Sequence, residues 1–123
     1  MPRLFKMTDA HMEAFSKQQR QRFEDEMVAY FREHYPADAV RMGDDGLREL
    51  INEGIAKADI YGICVEADVA RYIQFMVALR RDFDDCAQMP WAHEILTDKR
   101  MAAPEKLERI AQRAASEGHV ERA

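Results

Sequence analysis

Apolar residues recur every three or four positions along most of the chain, which is the spacing of an amphipathic helix. The first stripe predicts a helix that starts near Thr8 or Asp9, whose side chains can cap a helix N-terminus. Pro36 ends this helix near His34, because proline cannot occupy a helix interior. The predicted helix is long, about 26 residues or roughly 39 Å. Its stripe comprises Met12, Phe15, Gln19, Phe23, Met27, Phe31 and His34.

A second helix is predicted after the glycine- and aspartate-rich turn at residues 43–46. Gly54 lies on its apolar side, where glycine indicates a close helix crossing. Gly62 occupies the place of a left-handed C-terminal residue, and Ile63 follows where such caps bury an apolar side chain. The apolar side of this helix is formed by Leu47, Leu50, Ile51, Gly54, Ile55 and Ala58.

The third predicted helix, residues 66–83, is apolar on more than one side and is therefore expected at the centre of the fold. Pro90 predicts the first residue of a short helix ending at Leu96, and Pro104 opens a last helix in the same way. The chain, residues 1–123, is thus predicted to be a single compact all-α domain. It has about five helices, of which three form the core, and residues 1–7 and 116–123 are expected to fray.

Charge and cysteine content narrow the setting of the protein. The net charge of -5 argues against nucleic-acid binding, because phosphate recognition needs a basic surface. Two cysteines without metal-ligand spacing indicate a reducing compartment. We find neither a signal-peptide pattern nor an apolar run long enough to span a membrane, so the predicted location is the cytoplasm, away from the membrane.

Three groups of residues are typical of a metal site or a nucleophile, but each lacks a residue that this chemistry requires. The carboxylates at residues 82–85 lack the glycine and the terminal glutamate of a calcium loop. His93 and Glu94 resemble half of a zinc-protease motif, but Thr97 replaces its second histidine. Cys64 has no ordered base beside it, and a buried free cysteine is the commoner role. We therefore expect no catalytic, cofactor-binding or metal-binding residue, and we do not expect an enzyme.

The loop after the third helix is the best candidate for binding a protein partner. Trp91 is either an interface anchor or the lid of the core. The methionines leave a similar choice: Met12, Met27 and Met76 fall on apolar stripes, whereas Met89 is less certain. The predicted partner-binding residues are Phe83, Asp84, Asp85, Met89, Pro90 and Trp91.

An ordered set of short segments resembles a family of small helical proteins encoded in bacterial type VI secretion clusters, beside spike (VgrG), adaptor and effector genes. The segments are RFEDEMV at 22–28, GLRELI at 46–51, GI at 54–55, YGI at 61–63, EADVARY at 66–72, DFD at 82–84 and PWA at 90–92. The resemblance covers roughly residues 8 to 100. Val65 stands where the family commonly has a small hydroxylated cap, and the sequence of residues 86–89 departs from the pattern.

The resemblance implies a role in a secretion locus rather than a reaction. It favours a non-enzymatic co-adaptor or chaperone that binds an effector or its adaptor for loading onto the spike. The alternative is an immunity protein that neutralises a cognate toxin by direct binding. Both roles require a protein partner, and association of the chain with itself stays open.

Overall fold

Five α-helices account for most of the fold in the computed structural model, which describes residues 11–117. Within this range there is no β-strand, only an isolated antiparallel bridge between His11 and Val65. The all-α prediction is confirmed. The helices are α1 (Lys17–His34), α2 (Pro36–Ile60), α3 (Glu66–Ala78), α4 (Pro90–Leu96) and α5 (Ala103–Ser116), with 3₁₀ turns at Met12–Ala14 and Phe83–Asp85. None of these helices is long and apolar enough to cross a membrane.

Helix α1 starts later than the sequence predicts, because a capping box fixes its first turn at Ser16. The Ser16 hydroxyl accepts a hydrogen bond from the Gln19 amide at 3.1 Å, and the Gln19 side chain accepts one from the Ser16 amide at 2.8 Å. Upstream, the backbone amide of Met12 donates to the carbonyl of Cys64 at 2.8 Å, which holds this segment outside α1. Thr8 and Asp9, the predicted caps, lie outside the described residues.

Helix α2 begins with Pro36 in the position after Tyr35, so that α1 ends at His34 as predicted. The helix is interrupted once, at Gly43, whose backbone has φ 73° and ψ 171°. Residues on both sides of Gly43 are helical, whereas the sequence predicts a turn over residues 43–46. Because only Gly43 leaves the helical region, the interruption is a kink and not a loop.

The C-terminus of α2 has the predicted left-handed cap. Gly62 has φ 78°, and its amide donates to the Asp59 carbonyl at 3.0 Å. The Ile63 amide donates to the Ala58 carbonyl at 2.8 Å, which completes a Schellman motif. The Ile63 side chain is fully buried, as this motif favours.

Helix α3 packs between α2 and α5 and is the central helix of the fold. Its crossing with α2 is close because Gly54 has no side chain. A Cβ atom at this position would lie 2.5 Å from Ile73 Cγ1 and 2.9 Å from Met76 Sδ. The buried residues of α3 lie on several sides of the helix: Glu66, Val69, Ala70, Tyr72, Ile73, Phe75, Met76 and Val77.

Helix α3 ends at Ala78, five residues before the predicted end at Phe83. In a continuous helix, Phe83 would be displaced from Phe75 by eight residues, or about 12 Å along the axis. Instead the chain turns back, and the Phe83 ring lies 5.9 Å from the Phe75 ring and 5.1 Å from the Tyr72 ring. The aromatic packing obtained in this way explains the earlier helix end.

Helices α4 and α5 close the core on the far side of α3. Pro90 and Pro104 lie in their first turns, as predicted. Lys106 of α5 is buried, and its ammonium donates to the carbonyls of Tyr61 and Leu96, both at 2.9 Å. These carbonyls belong to the C-terminal ends of α2 and α4, where cations are favoured. Lys106 therefore joins two helix ends that are far apart in sequence.

Candidate functional site

The loop at residues 83–91, called the 83–91 loop below, is packed into the domain rather than extended from it. Of the six predicted partner-binding residues, Phe83, Asp84, Met89 and Trp91 are buried. The remaining two, Asp85 and Pro90, are exposed. The predicted binding role of these six residues stays a prediction, and only the last two present their side chains to solvent.

The carboxylate of Asp84 is the centre of a polar network inside the 83–91 loop. Asp84 is 4% exposed, and its two oxygens accept from Lys57 Nζ at 3.1 Å and from the Tyr61 hydroxyl at 2.8 Å. Burial, followed by the hydrogen bond to Asp84, raises the pKa of Tyr61 above its usual range. The backbone carbonyl of Asp84 lies 3.1 Å from His93 Nδ1. The network ties the loop to α2 and α4.

Tyr72 lies beside this network but does not join it by a hydrogen bond. Its side chain is 0% exposed, and its hydroxyl has no partner among the described residues. Burial and the nearby charge of Asp84 raise the pKa of Tyr72. The hydroxyl is therefore neutral at physiological pH and is the least satisfied polar group of this region.

Trp91 closes the outer side of the loop. Its ring is buried, and the Arg113 guanidinium of α5 lies 5.4 Å from the ring centroid, within cation–π range. In the folded domain Trp91 is thus a lid over the core, which is one of the two roles that the sequence leaves open. Met12, Met27 and Met76 are buried, as is Met89.

The network around Asp84 holds the 83–91 loop against α2 and α4. Both Asp84 oxygens are engaged, and the neighbouring ammonium of Lys57 also pairs with Glu53 at 3.4 Å. Within residues 11–117, no three His, Cys, Asp or Glu side chains are grouped so that they could hold a metal ion. Of the carboxylates at residues 82–85, that of Asp84 therefore anchors the turn in this structure.

A second candidate site is a cavity of about 270 Å³ at the other side of α2, here called the Cys64 cavity. It lies where the segment before α1 meets the C-terminal part of α2 and the start of α3. Polar and apolar surface contribute about equally to its wall, which carries two carboxylates, one guanidinium and one thiol. The lining residues are Met12, Glu13, Arg20, Ile55, Ala56, Asp59, Ile63, Cys64 and Val69.

The charges around the Cys64 cavity are unevenly placed. Burial raises the pKa of the Cys64 thiol, and the negative charges of Asp59 and Glu13 raise it further. The thiol is therefore protonated at neutral pH and is a poor nucleophile. Arg20 lies at the interface where α1 packs on α2, and its guanidinium donates to Asn52 Oδ1 at 2.9 Å. The lining therefore carries two carboxylates against one guanidinium, an excess of one negative charge.

No sequence pattern predicted the polar contacts of Lys57, Tyr61 and Lys106 inside the fold. Lys106 offered one signal, because it lies three residues after Ala103 and four before Ile110, within the apolar stripe of α5. A lysine in such a stripe needs a buried acceptor. Lys57 and Tyr61 gave no comparable signal, since their partner Asp84 lies 27 and 23 residues away.

Comparison with known proteins adds no relative: no family model, curated protein or solved structure matches the chain.

Proposed function

We propose that this protein is a non-enzymatic accessory of bacterial type VI secretion, a co-adaptor that binds an effector or its adaptor in the cytoplasm for loading onto the spike. The ordered set of segments between residues 8 and 100, which resembles small proteins of such gene clusters, supports the assignment to this system. The binding part of the proposal has a separate, structural support.

The observation that carries the binding role is the exposure of two large apolar side chains on α2. Val40 is 85% exposed and Ile60 is 78% exposed, whereas the other large apolar residues in the described range are buried or half-buried. Exposed apolar surface is stabilised when a partner covers it, at roughly 25 cal/mol for each Å² removed from water. In this domain the polar network around Asp84 holds its own loop, whereas Val40 and Ile60 stay in solvent. Such exposed apolar side chains are available to bind a protein partner.

The test is deletion of the gene in its native strain, with delivery of the neighbouring effector measured in a recipient cell. We expect delivery of this effector to be lost and to return when the wild-type gene is supplied in trans. Delivery of a second effector by the same apparatus serves as the control and should persist. Unchanged delivery of the neighbouring effector, or self-poisoning of the deletion strain, would contradict the co-adaptor role.

The acidic balance of the chain, with a net charge of -5, favours a second candidate function. An immunity protein neutralises its toxin by covering it, and complementary charge speeds such an encounter. In this case co-expression of the chain should rescue cells that express the neighbouring toxin. If the purified pair shows no heat of binding in calorimetry, the immunity role fails.

A further inference from the structure

The Cys64 cavity continues into an exposed apolar strip on α2. Ala56 lines the cavity and is exposed. Ile60 follows it by four residues, so that both side chains lie on the same side of the helix, one turn apart. Ile60 is one of the two large apolar residues that the described chain leaves in solvent. Cavity and strip together, called the Ile60 surface below, form one area open to solvent, in which Ala56 and Ile60 are the exposed apolar residues.

Two carboxylates border the Ile60 surface. Asp59 precedes Ile60 and lines the cavity, and Glu13 lines it from the 3₁₀ turn before α1. Asp59 is exposed and forms no ion pair in the described chain, whereas Glu13 has only a contact of 4.0 Å with exposed His11. Both carboxylates line the same cavity as the Cys64 thiol. The cavity thus combines apolar side chains with a carboxylate, that of Asp59, which has no ion-pair partner in the described chain.

The one cation of the lining, Arg20, forms no ion pair with Glu13 or Asp59. It is bonded to Asn52, which in turn donates to Glu24 at 3.1 Å and belongs to the network between α1 and α2. The guanidinium of Arg20 is therefore held at the interface of α1 with α2, whereas the carboxylates of Glu13 and Asp59 have no guanidinium partner among the described residues.

We propose that the Ile60 surface binds a basic, apolar segment of a protein partner. An arginine or lysine side chain has an aliphatic stem that suits the apolar wall and a cationic head that suits Glu13 and Asp59. Apolar neighbours of that basic residue cover Ala56 and Ile60. The inference rests on the proposed function for the existence of a protein partner, and it adds where that partner binds and with which chemistry.

The proposal is tested with two acetylated, amidated peptide probes: Leu-Arg-Leu-Lys-Leu and its acidic counterpart Leu-Glu-Leu-Glu-Leu. The full chain is titrated with each peptide, and binding is followed by the NMR methyl signals of Ile60, Ile63 and Val69. We expect the basic peptide to shift these signals with saturation, while the acidic peptide leaves them unchanged.

A charge-reversal substitution tests whether the carboxylate of Asp59 contributes to binding of the basic peptide. Asp59→Lys should weaken the basic peptide about tenfold. Its fold should remain intact, because lysine is favoured near a helix C-terminus. Glu49→Lys is the matched control, since Glu49 is an exposed residue of the same helix that lies outside the cavity lining. This control should bind the basic peptide as the wild type does, with an unchanged melting midpoint.

Several outcomes overturn the proposal. They include equal binding of both peptides, equal affinities for Asp59→Lys and the wild type, and shifts confined to other surfaces. Concentration-dependent dimerisation that Asp59→Lys abolishes would assign the surface to a second copy. The sequence also contains a basic, apolar segment, with Arg3, Leu4, Phe5 and Lys6. If the double variant Arg3→Glu, Lys6→Glu binds the basic peptide tenfold more tightly, the occupant is the chain's own segment.

The peptide titration and the gene deletion test the Ile60 surface and the co-adaptor role independently of each other. Unchanged effector delivery after gene deletion refutes the co-adaptor role without affecting the measured peptide affinities. Conversely, loss of delivery combined with peptide binding that ignores Asp59→Lys keeps the co-adaptor role and removes the Ile60 surface as its binding site.

Discussion

The 83–91 loop is more buried than its charged residues indicate, whereas the Ile60 surface is more exposed than its apolar residues indicate. The loop is rich in carboxylates, yet Phe83 and Asp84 are buried in it. Ile60 is a large apolar residue at the end of the amphipathic helix α2, yet it is in solvent. Asp84 can be buried because Lys57 and Tyr61 satisfy its oxygens. Ile60 follows buried Ala58 by two residues, which rotates it by roughly 200° from the packed side of α2.

This comparison shows that exposure depends on the partners that the fold supplies as well as on residue polarity. A charged residue is buried where a second element offers a counterion and a donor. An apolar residue is exposed where the helix turns it away from its neighbours. For this protein, the acidic segment that attracts attention in the sequence is structural, and the less conspicuous C-terminal turn of α2 carries the open surface.

The largest effect is expected from Asp84→Ala. The variant leaves the Lys57 ammonium and the Tyr61 hydroxyl without their shared acceptor, and we expect a loss of about 3 kcal/mol in the free energy of unfolding. Urea denaturation measures this loss. Asp85→Ala is the matched control, because Asp85 is the exposed neighbour, and should stay within about 0.5 kcal/mol. Equal effects of both substitutions would mean that the 83–91 loop is not anchored by Asp84.

Lys106→Met should cost about 2 kcal/mol in the free energy of unfolding. Methionine keeps the apolar stem but leaves the carbonyls of Tyr61 and Leu96 without their donor. Because these carbonyls belong to the ends of α2 and α4, the substitution removes one contact next to Ile60 and one in the helix that follows the 83–91 loop. Lys99→Met, at an exposed position, should change stability by less than about 0.5 kcal/mol. A similar result for both lysines would show that the helix ends do not depend on this ammonium.

Tyr72→Phe is expected to act in the opposite direction. Removing a buried hydroxyl that has no partner should stabilise the domain by about 1 kcal/mol, while the ring keeps its contact with Phe83. Thermal and urea denaturation give the sign. A loss of stability of similar size would instead show that the hydroxyl is hydrogen-bonded, for example to buried water, and that the network around Asp84 includes it.

The smallest effect is expected from Ile60→Ser. Since Ile60 is exposed, the free energy of unfolding should change by no more than about 0.5 kcal/mol. Ile51→Ser, at a fully buried position of the same helix, is the matched control and should cost more than about 3 kcal/mol. If Ile60→Ser also destabilises by several kcal/mol, then Ile60 is part of the core and the Ile60 surface does not exist as described.

The parts of the fold that were predictable from sequence are those fixed by neighbouring residues. The left-handed cap at Gly62, the start of α4 at Pro90 and the close crossing at Gly54 each follow from the limits that one glycine or proline places on the backbone. Their chemistry acts within a few positions of the chain or through the absence of a side chain. Local rules are therefore sufficient to locate them.

The boundaries that were missed depend on distant contacts. The start of α1 at Lys17 is an exception in part, because the local capping box of Ser16 and Gln19 fixes it together with the distant bond from Met12 to Cys64. Helix α3 ends at Ala78 because Phe83 returns to the ring of Tyr72. The candidate site is harder still to predict, because the Cys64 cavity combines residues from three separate segments. No spacing rule connects Glu13 with Asp59, so only the folded chain brings their charges together.

The position of Lys106 in the chain has a consequence for biosynthesis. The carbonyl ends of α2 and α4 leave the ribosome before Lys106, and so do the apolar residues that Leu107 and Ile110 of α5 later cover. The bonds that Lys106 makes to these carbonyls, and the cover that α5 gives to the core, can therefore form only after α5 has been made.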